Sequence, residues 1–208
     1  MVFGAFAYRL HLLPSPRGAG KQEHNWSMIA QLAEDDRPPA TLTIEEYYRQ
    51  VWRPDCDFVD GRSEERNVGT FHHSTIVTTL QWKLSGLQMP RRVLPLPGLR
   101  LRVSPTRVRV ADVCVLEQNS SAEQVPTHPP VAVFEVLEEE DLFGATMEKL
   151  RDYDRFGVPH IWVIDPEPRI AYRYTGSSLE EVHSGELIVP GTPIRVVLSE
   201  MFGELDRI

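Results

Sequence analysis

Two acidic residues stand inside runs that are otherwise apolar. Asp112 interrupts Arg109-Val-Ala-Asp-Val-Cys-Val-Leu116, and Glu135 interrupts Val131-Ala-Val-Phe-Glu-Val-Leu137. Both runs have strand length. Alternate residues of a strand share a face, so Glu135 lies among Val131, Val133 and Leu137. A lone ionised carboxylate there costs several kcal/mol unless it is paired or metal-bound. The plain alternative for Glu135 is a strand-end residue that reaches solvent or pairs with an arginine. Two such intruders in neighbouring runs are harder to explain that way than one. Carboxylates on adjacent strands can hold a hard divalent cation such as Mg2+, which takes oxygen ligands and fills its shell with water and phosphate oxygens. Lys149, on the helix after Glu135, could position water and offset charge growing on a phosphate. Two acids and one ammonium suit phosphodiester hydrolysis. Against this, Lys149 taken alone reads more readily as a solvated helix residue or as the helical partner of Asp152. Tyr153, one turn further on the same face, reads as core.

These residues need a scaffold, and the stretch from Val131 to Pro166 supplies its centre. The apolar run through Leu137 is a strand. Phe143, Met147, Leu150, Tyr153 and Phe156 then recur at helical spacing. Gly157 sits where a helix C-cap glycine belongs, and Pro159 stops the helix from resuming. Ile161 to Ile164 is a second strand, closed by Asp165-Pro166. Strand, helix and strand make a βαβ unit with parallel strands buried on both faces.

Upstream, Thr43-Ile-Glu-Glu46 is a capping box that opens a short helix through Tyr47, Tyr48 and Val51. Asp57-Phe-Val-Asp-Gly-Arg62 reads as a strand, a tight turn at Asp60-Gly61 and a returning strand. A second helix is expected over 71–86, with Ile76, Val77, Leu80, Trp82 and Leu84 as its apolar positions. His72 and His73 near its start read as cap or surface residues. Strands are expected near Leu99 to Val103 and from Arg107 onward, followed by a polar loop from Gln118 to Pro130. Arg169 to Tyr174, Leu187 to Val189 and Ile194 to Leu198 read as an antiparallel extension.

The 208 residues suit one domain plus an extension, with 41% hydrophobic residues for its core. Residues 1–40 lack periodicity and are expected to be a disordered extension, residues 1–27 being open to a gene start at Met28. Residues 41–208 are expected to form a single domain. The net charge of −8 argues against coating nucleic acid by bulk electrostatics, although a local basic groove remains compatible with it. Cys56 and Cys114 form no C-x-x-C motif; this usage fits a reducing cytosol and a cytoplasmic protein. No apolar run reaches the roughly 18 residues of a membrane helix.

The ordered set Asp112, Glu135-Val-Leu, Glu148-Lys149, Asp152-Tyr153 and Phe156-Gly-Val-Pro-His-Ile-Trp-Val-Ile-Asp-Pro166 resembles the Uma family of putative restriction endonucleases, in the PD-(D/E)XK nuclease-like superfamily. Thr43-Ile-Glu-Glu-Tyr47, Asp57-Phe-Val-Asp-Gly61 and His73-Ser-Thr-Ile-Val77 resemble its opening helix, its strand and turn, and its histidine-led helix. The resemblance runs from about Thr43 to Tyr174. It implies an α/β fold: a restriction-endonuclease-like core with a mixed central β-sheet flanked by helices, plus the antiparallel extension. It implies Asp112 and Glu135 as ligands of Mg2+ or Mn2+, Lys149 as the catalytic lysine, and Asp57, His73 and Tyr153 as accessory residues. DNA is the expected substrate; a homodimer is left open, and no membrane is involved. In the wider superfamily the lysine stands two residues after the glutamate. Leu137 occupies that position, so the lysine function moves to the helix.

The chain also departs from the family pattern. Ala111 precedes Asp112 where proline is common, and Glu138 stands where the family has serine. Glu138-Glu139-Glu140-Asp141 adds negative charge beside the proposed metal, with a solvated turn as its default reading. Two other functions compete with the nuclease: a weak or inactive nuclease-fold module that binds nucleic acid or protein, and a hydrolase of another phosphoester.

Overall fold

The computed structural model describes residues 41–67, 69–86, 93–117, 123–139 and 141–207. The extension expected over 1–40, Glu140 and residues 118–122 of the loop expected from Gln118 to Pro130 lie outside these residues. The chain opens with helix α1 (Ile44–Arg49), and Thr43 caps it as expected: its side chain accepts from the Glu46 amide while the Glu46 carboxylate accepts from the Thr43 amide at 2.8 Å. Strands β1 (Cys56–Val59) and β2 (Arg62–Glu65) form the hairpin around Asp60-Gly61, Asp60 taking a positive φ of 48° at the turn. Helix α2 (Phe71–Ser85) follows, then the long antiparallel pair β3 (Val93–Ser104) and β4 (Arg107–Glu117).

The expected βαβ unit is present as β5 (Ala132–Val136), α3 (Phe143–Phe156) and β6 (Ile161–Asp165), with β5 and β6 parallel. Every residue of β5 is buried, as a strand covered on both faces requires. Gly157 ends α3 at φ 97°, in the left-handed region that costs an L residue about 1–2 kcal/mol. A Cβ there would meet nothing closer than Pro129, at 3.8 Å. Gly157→Ala should therefore lower unfolding stability by about 1 kcal/mol through backbone strain alone, as read from a denaturant midpoint. Strands β7 (Ile170–Thr175) and β8 (Ser178–Glu181) then extend the sheet antiparallel.

The main sheet runs β2-β1-β4-β5-β6-β7-β8, with β3 on the other edge of β4. It is mixed, as the resemblance implied. Strands β9 (Glu186–Ile188) and β10 (Arg195–Val197) differ from expectation, forming a two-stranded sheet of their own rather than continuing the extension. Helix α4 (Leu198–Phe202) and a short 3-10 turn (Gly203–Asp206) close the described chain.

Helices cover both faces. On one, Ile76, Leu80 and Leu84 of α2 pack with Val113, Phe134 and Trp162 of the strands and with Met201 and Phe202 of α4. On the other, Met147, Leu150 and Tyr153 of α3 pack with Leu101, Cys114, Val133 and Val163. Trp82 and Phe143 depart from their expected roles: they are 71% and 67% exposed. Phe143 belongs to the first turn of α3, next to Leu142 at the mouth of a cleft, and Trp82 lies off the Ile76-Leu80-Leu84 stripe.

Candidate active site

The cleft arises from a fork in the sheet. One edge of β4 is paired along its length by β3. The other is shared: β1 pairs with Arg107 and Val108, and β5 pairs with Val113 to Val115. Residues 109–112 lie between the two ladders. Each ladder ends with an aspartate taking a backbone donor. One step beyond the last β1 pair, the Asp57 carboxylate accepts from the Val110 amide at 2.8 Å. One step beyond the last β5 pair, the Asp112 carboxylate accepts from the Val136 amide at 2.9 Å. Side chains thus replace main-chain acceptors where the strands part, and buried amides stay satisfied. The register that would set Asp112 opposite Glu135 opens there into a cleft of about 250 Å³.

Asp112, Glu135 and Lys149 all line this cleft, together with Asp57, His73 and Glu138. The Lys149 ammonium donates to Glu135 Oε2 at 2.6 Å, so it faces inward rather than pairing along the helix with Asp152. The Tyr153 hydroxyl donates to Glu135 Oε1 at 2.8 Å; its ring lies in the core, so Tyr153 has both a packing and a polar contact. The Arg66 guanidinium donates to Asp112 Oδ1 in a very short ion pair. His73 Nε2 lies 3.4 Å from Asp112 Oδ2, and its Nδ1 lies 3.7 Å from Glu138 Oε1. His73 thus belongs to the cleft rather than to the surface; His72 turns away to Glu167 at 2.7 Å.

The acidic run after β5 is only partly a solvated turn. The Glu138 carboxylate is buried and accepts from the Thr70 amide at 3.3 Å, and Asp141 accepts from Asn67 at 2.8 Å. Glu139 and Asp141 both keep the solvent-exposed character expected of the run.

In the wall of the cleft, Arg109 anchors a buried charge cluster. Its side chain is 2% exposed; Nε donates to Asp152 at 2.8 Å, and Nη1 reaches Asp57 at 3.1 Å and Glu64 at 3.0 Å. Arg107 also binds Asp152, at 3.1 Å. Asp57 is therefore a structural hinge of the fork as well as a cleft residue. Arg66 and Arg109 are the site residues that sequence reasoning did not single out. Arg109 carried a signal, since it is a charge in an apolar run like Asp112. Arg66 follows an exposed strand and carried none.

The two acids have opposite proton affinities. Burial acts to raise the Asp112 carboxyl, but the His73 hydrogen bond and the Lys149 and Arg66 charges outweigh it and hold it below the ordinary range. For Glu135 burial wins: with the Asp112 charge it overcomes Lys149 and Arg66 and pushes the carboxyl up to about 7. The sign of the consequence follows from proton linkage. A carboxyl that binds its proton more tightly folded than unfolded favours the fold at low pH. That contribution is complete below the unfolded value of 4.5 and is lost as pH rises to about 7. Stability of the metal-free protein should fall by on the order of 3 kcal/mol across that window. In Glu135→Gln the fall should disappear, which thermal unfolding at pH 5 and pH 7.5 would measure.

The donor set fits a hard divalent cation in kind: two buried carboxylates facing one polar cleft. It does not form a complete protein cage. Among the described residues no group of three or more His, Cys, Asp or Glu is arranged to hold a metal ion. Water and phosphate oxygens would have to supply the remaining ligands.

The family model of the putative restriction endonuclease family Uma2 matches residues 44–198. The chain belongs to the Uma2 family. Its fold is also that of a putative nuclease from Anabaena variabilis, known from a crystal structure. The two superpose with a TM-score of 0.67 at 16% identity, over 79% of this chain and 99% of the other. That likeness speaks for the Uma2 fold alone. No curated protein matches the chain. The Uma2 match spans the sheet, α3 and the whole fork, so the cleft lies within the family's own domain. No helix among the described residues is long and apolar enough to cross a membrane.

Proposed function

We propose that the chain is a metal-dependent endonuclease that hydrolyses phosphodiester bonds in DNA at the fork of its sheet. The observation that carries this reading is the convergence of Asp112, Glu135 and Lys149 on one cleft in a protein of a restriction endonuclease family. Asp112 and Glu135 would hold Mg2+ or Mn2+. The chemistry such a cation supplies is charge on the phosphate and a more acidic water.

The chain's own residues do the rest. Asp112 is kept ionised by His73, Lys149 and Arg66, so it stands ready as an anionic ligand. Glu135 is held in place by Tyr153 and Lys149, one on each oxygen. Lys149 has reach to the same space: released from Glu135 Oε2, its ammonium can donate to the attacking water or to a phosphate oxygen. His73 and Tyr153 are positioning residues here, acting through the carboxylates they touch. The test is nicking of supercoiled plasmid in Mg2+ and in chelator. Metal-dependent nicking is expected in the wild-type chain; nicking that persists unchanged in both Asp112→Ala and Glu135→Ala would remove these residues from the mechanism.

A second reading has an observation of its own. All four oxygens of Asp112 and Glu135 already accept from protein donors. A cleft whose acids are internally neutralised also suits a module that binds without cleaving. Calorimetric titration with Mn2+ separates the two, since the module would show no binding near physiological metal concentration.

A further inference from the structure

We infer that Arg66 holds the place of a divalent cation on Asp112, and that guanidinium and metal compete for that carboxylate. The inference rests on the reading of the cleft as a metal site. Asp112 Oδ2 is committed to the sheet, accepting from the Val136 amide at 2.9 Å with His73 at 3.4 Å. Oδ1 is the oxygen left to face the cleft, and the Arg66 Nη2 donor occupies it. Arg66 comes from the segment just after β2, outside the buried ladders, and its side chain is 24% exposed against 6% for Asp112. The acid is thus fixed, whereas the guanidinium has solvent to move into.

Charge points the same way. With Arg66 and Lys149 in place, the Asp112–Glu135 pair is matched one for one by protein cations. A divalent cation entering that arrangement meets two like charges within a poorly screened pocket, and its affinity is reduced accordingly. Displacing Arg66 frees Oδ1 and removes the nearer repulsion. Arg66 is therefore a positioning residue that keeps Asp112 ordered before metal arrives, and it sets how much metal is needed.

The test is Mn2+ affinity by calorimetry on the full chain, a readout separate from cleavage. Arg66→Gln should bind Mn2+ at least about tenfold more tightly than wild type, while Arg66→Lys, which keeps the charge, should stay near the wild-type value. A merely structural role predicts the opposite, because loosening the cleft weakens binding. Equal or weaker affinity in a folded Arg66→Gln protein overturns the inference. A measurement on the unaltered chain covers the case in which the variant does not fold: the Arg66 Nε–H resonance should shift when Mg2+ saturates the site, and a resonance that stays put overturns the competition. Asp112→Asn distinguishes the two levels. Wild-type binding that depends on Asp112, with no gain in Arg66→Gln, defeats the competition alone. Absence of any Asp112-dependent binding in both proteins defeats the metal reading and this inference with it.

Discussion

Lys149→Met should lower plasmid nicking by about 10²–10³-fold while leaving the protein folded. The ammonium is the protein's only direct cationic contact to Glu135 among the described residues, at 2.6 Å, and it sits beside the space where a phosphate would lie. Its removal is tolerated structurally because Glu135 already holds its proton unusually tightly. Burial is the main cause, and Lys149 is the largest influence working against it. Without the lysine the carboxyl rises further and becomes neutral at pH 7, so no uncompensated charge is stranded. Mn2+ calorimetry on the same variant checks the assignment. A fall in Mn2+ affinity much smaller than the fall in nicking places Lys149 in the chemistry; loss of both in equal measure would make it a support for the carboxylate.

Arg109→Ala should cost about 3–5 kcal/mol of stability, the largest loss expected from any single truncation near the site. The reason is the state of its partners. Asp57 and Asp152 have side chains 7% and 5% exposed, and both lose a guanidinium hydrogen bond at once. Asp57 keeps the Val110 amide and Asp152 keeps Arg107, yet the net negative charge left in the interior has no matching cation. Denaturant unfolding measures this, and a double-mutant cycle with Asp152→Asn should recover part of the loss because those two residues act as a unit. A cost below about 1 kcal/mol would mean that water reaches the cluster and replaces the arginine.

The contrast between these residues shows how far the sequence could be read. The βαβ unit was legible because three independent signals agreed: an apolar run, helical spacing from Met147 to Tyr153, and the Gly157 stop. The acids were legible because a charge inside a strand-length apolar run is costly and demands a partner. What the sequence did not reveal was who the partner is. Asp112 pairs with Arg66, 46 residues away, across a junction where two strands share one edge of β4. No local period encodes that fork. It depends on where the β1 and β5 ladders stop, and on two aspartates completing them. Arg109 was within reach of the same argument applied to Asp112, since it too is a charge among valines. Trp82 and Phe143 mark the limit from the other side. Both lie in helices, but Trp82 is off the Ile76-Leu80-Leu84 stripe that the core covers, and Phe143 stands in the first turn of α3 beside Leu142 at the open cleft.

The most direct measurement is single-turnover cleavage of a labelled DNA duplex in Mg2+ by wild type and by Glu135→Gln, a change that keeps shape and the Tyr153 contact but removes the anion. Cleavage by wild type, abolished by chelator and reduced at least about 10³-fold in the variant, is the predicted result. Cleavage at equal rates in both proteins would contradict the account.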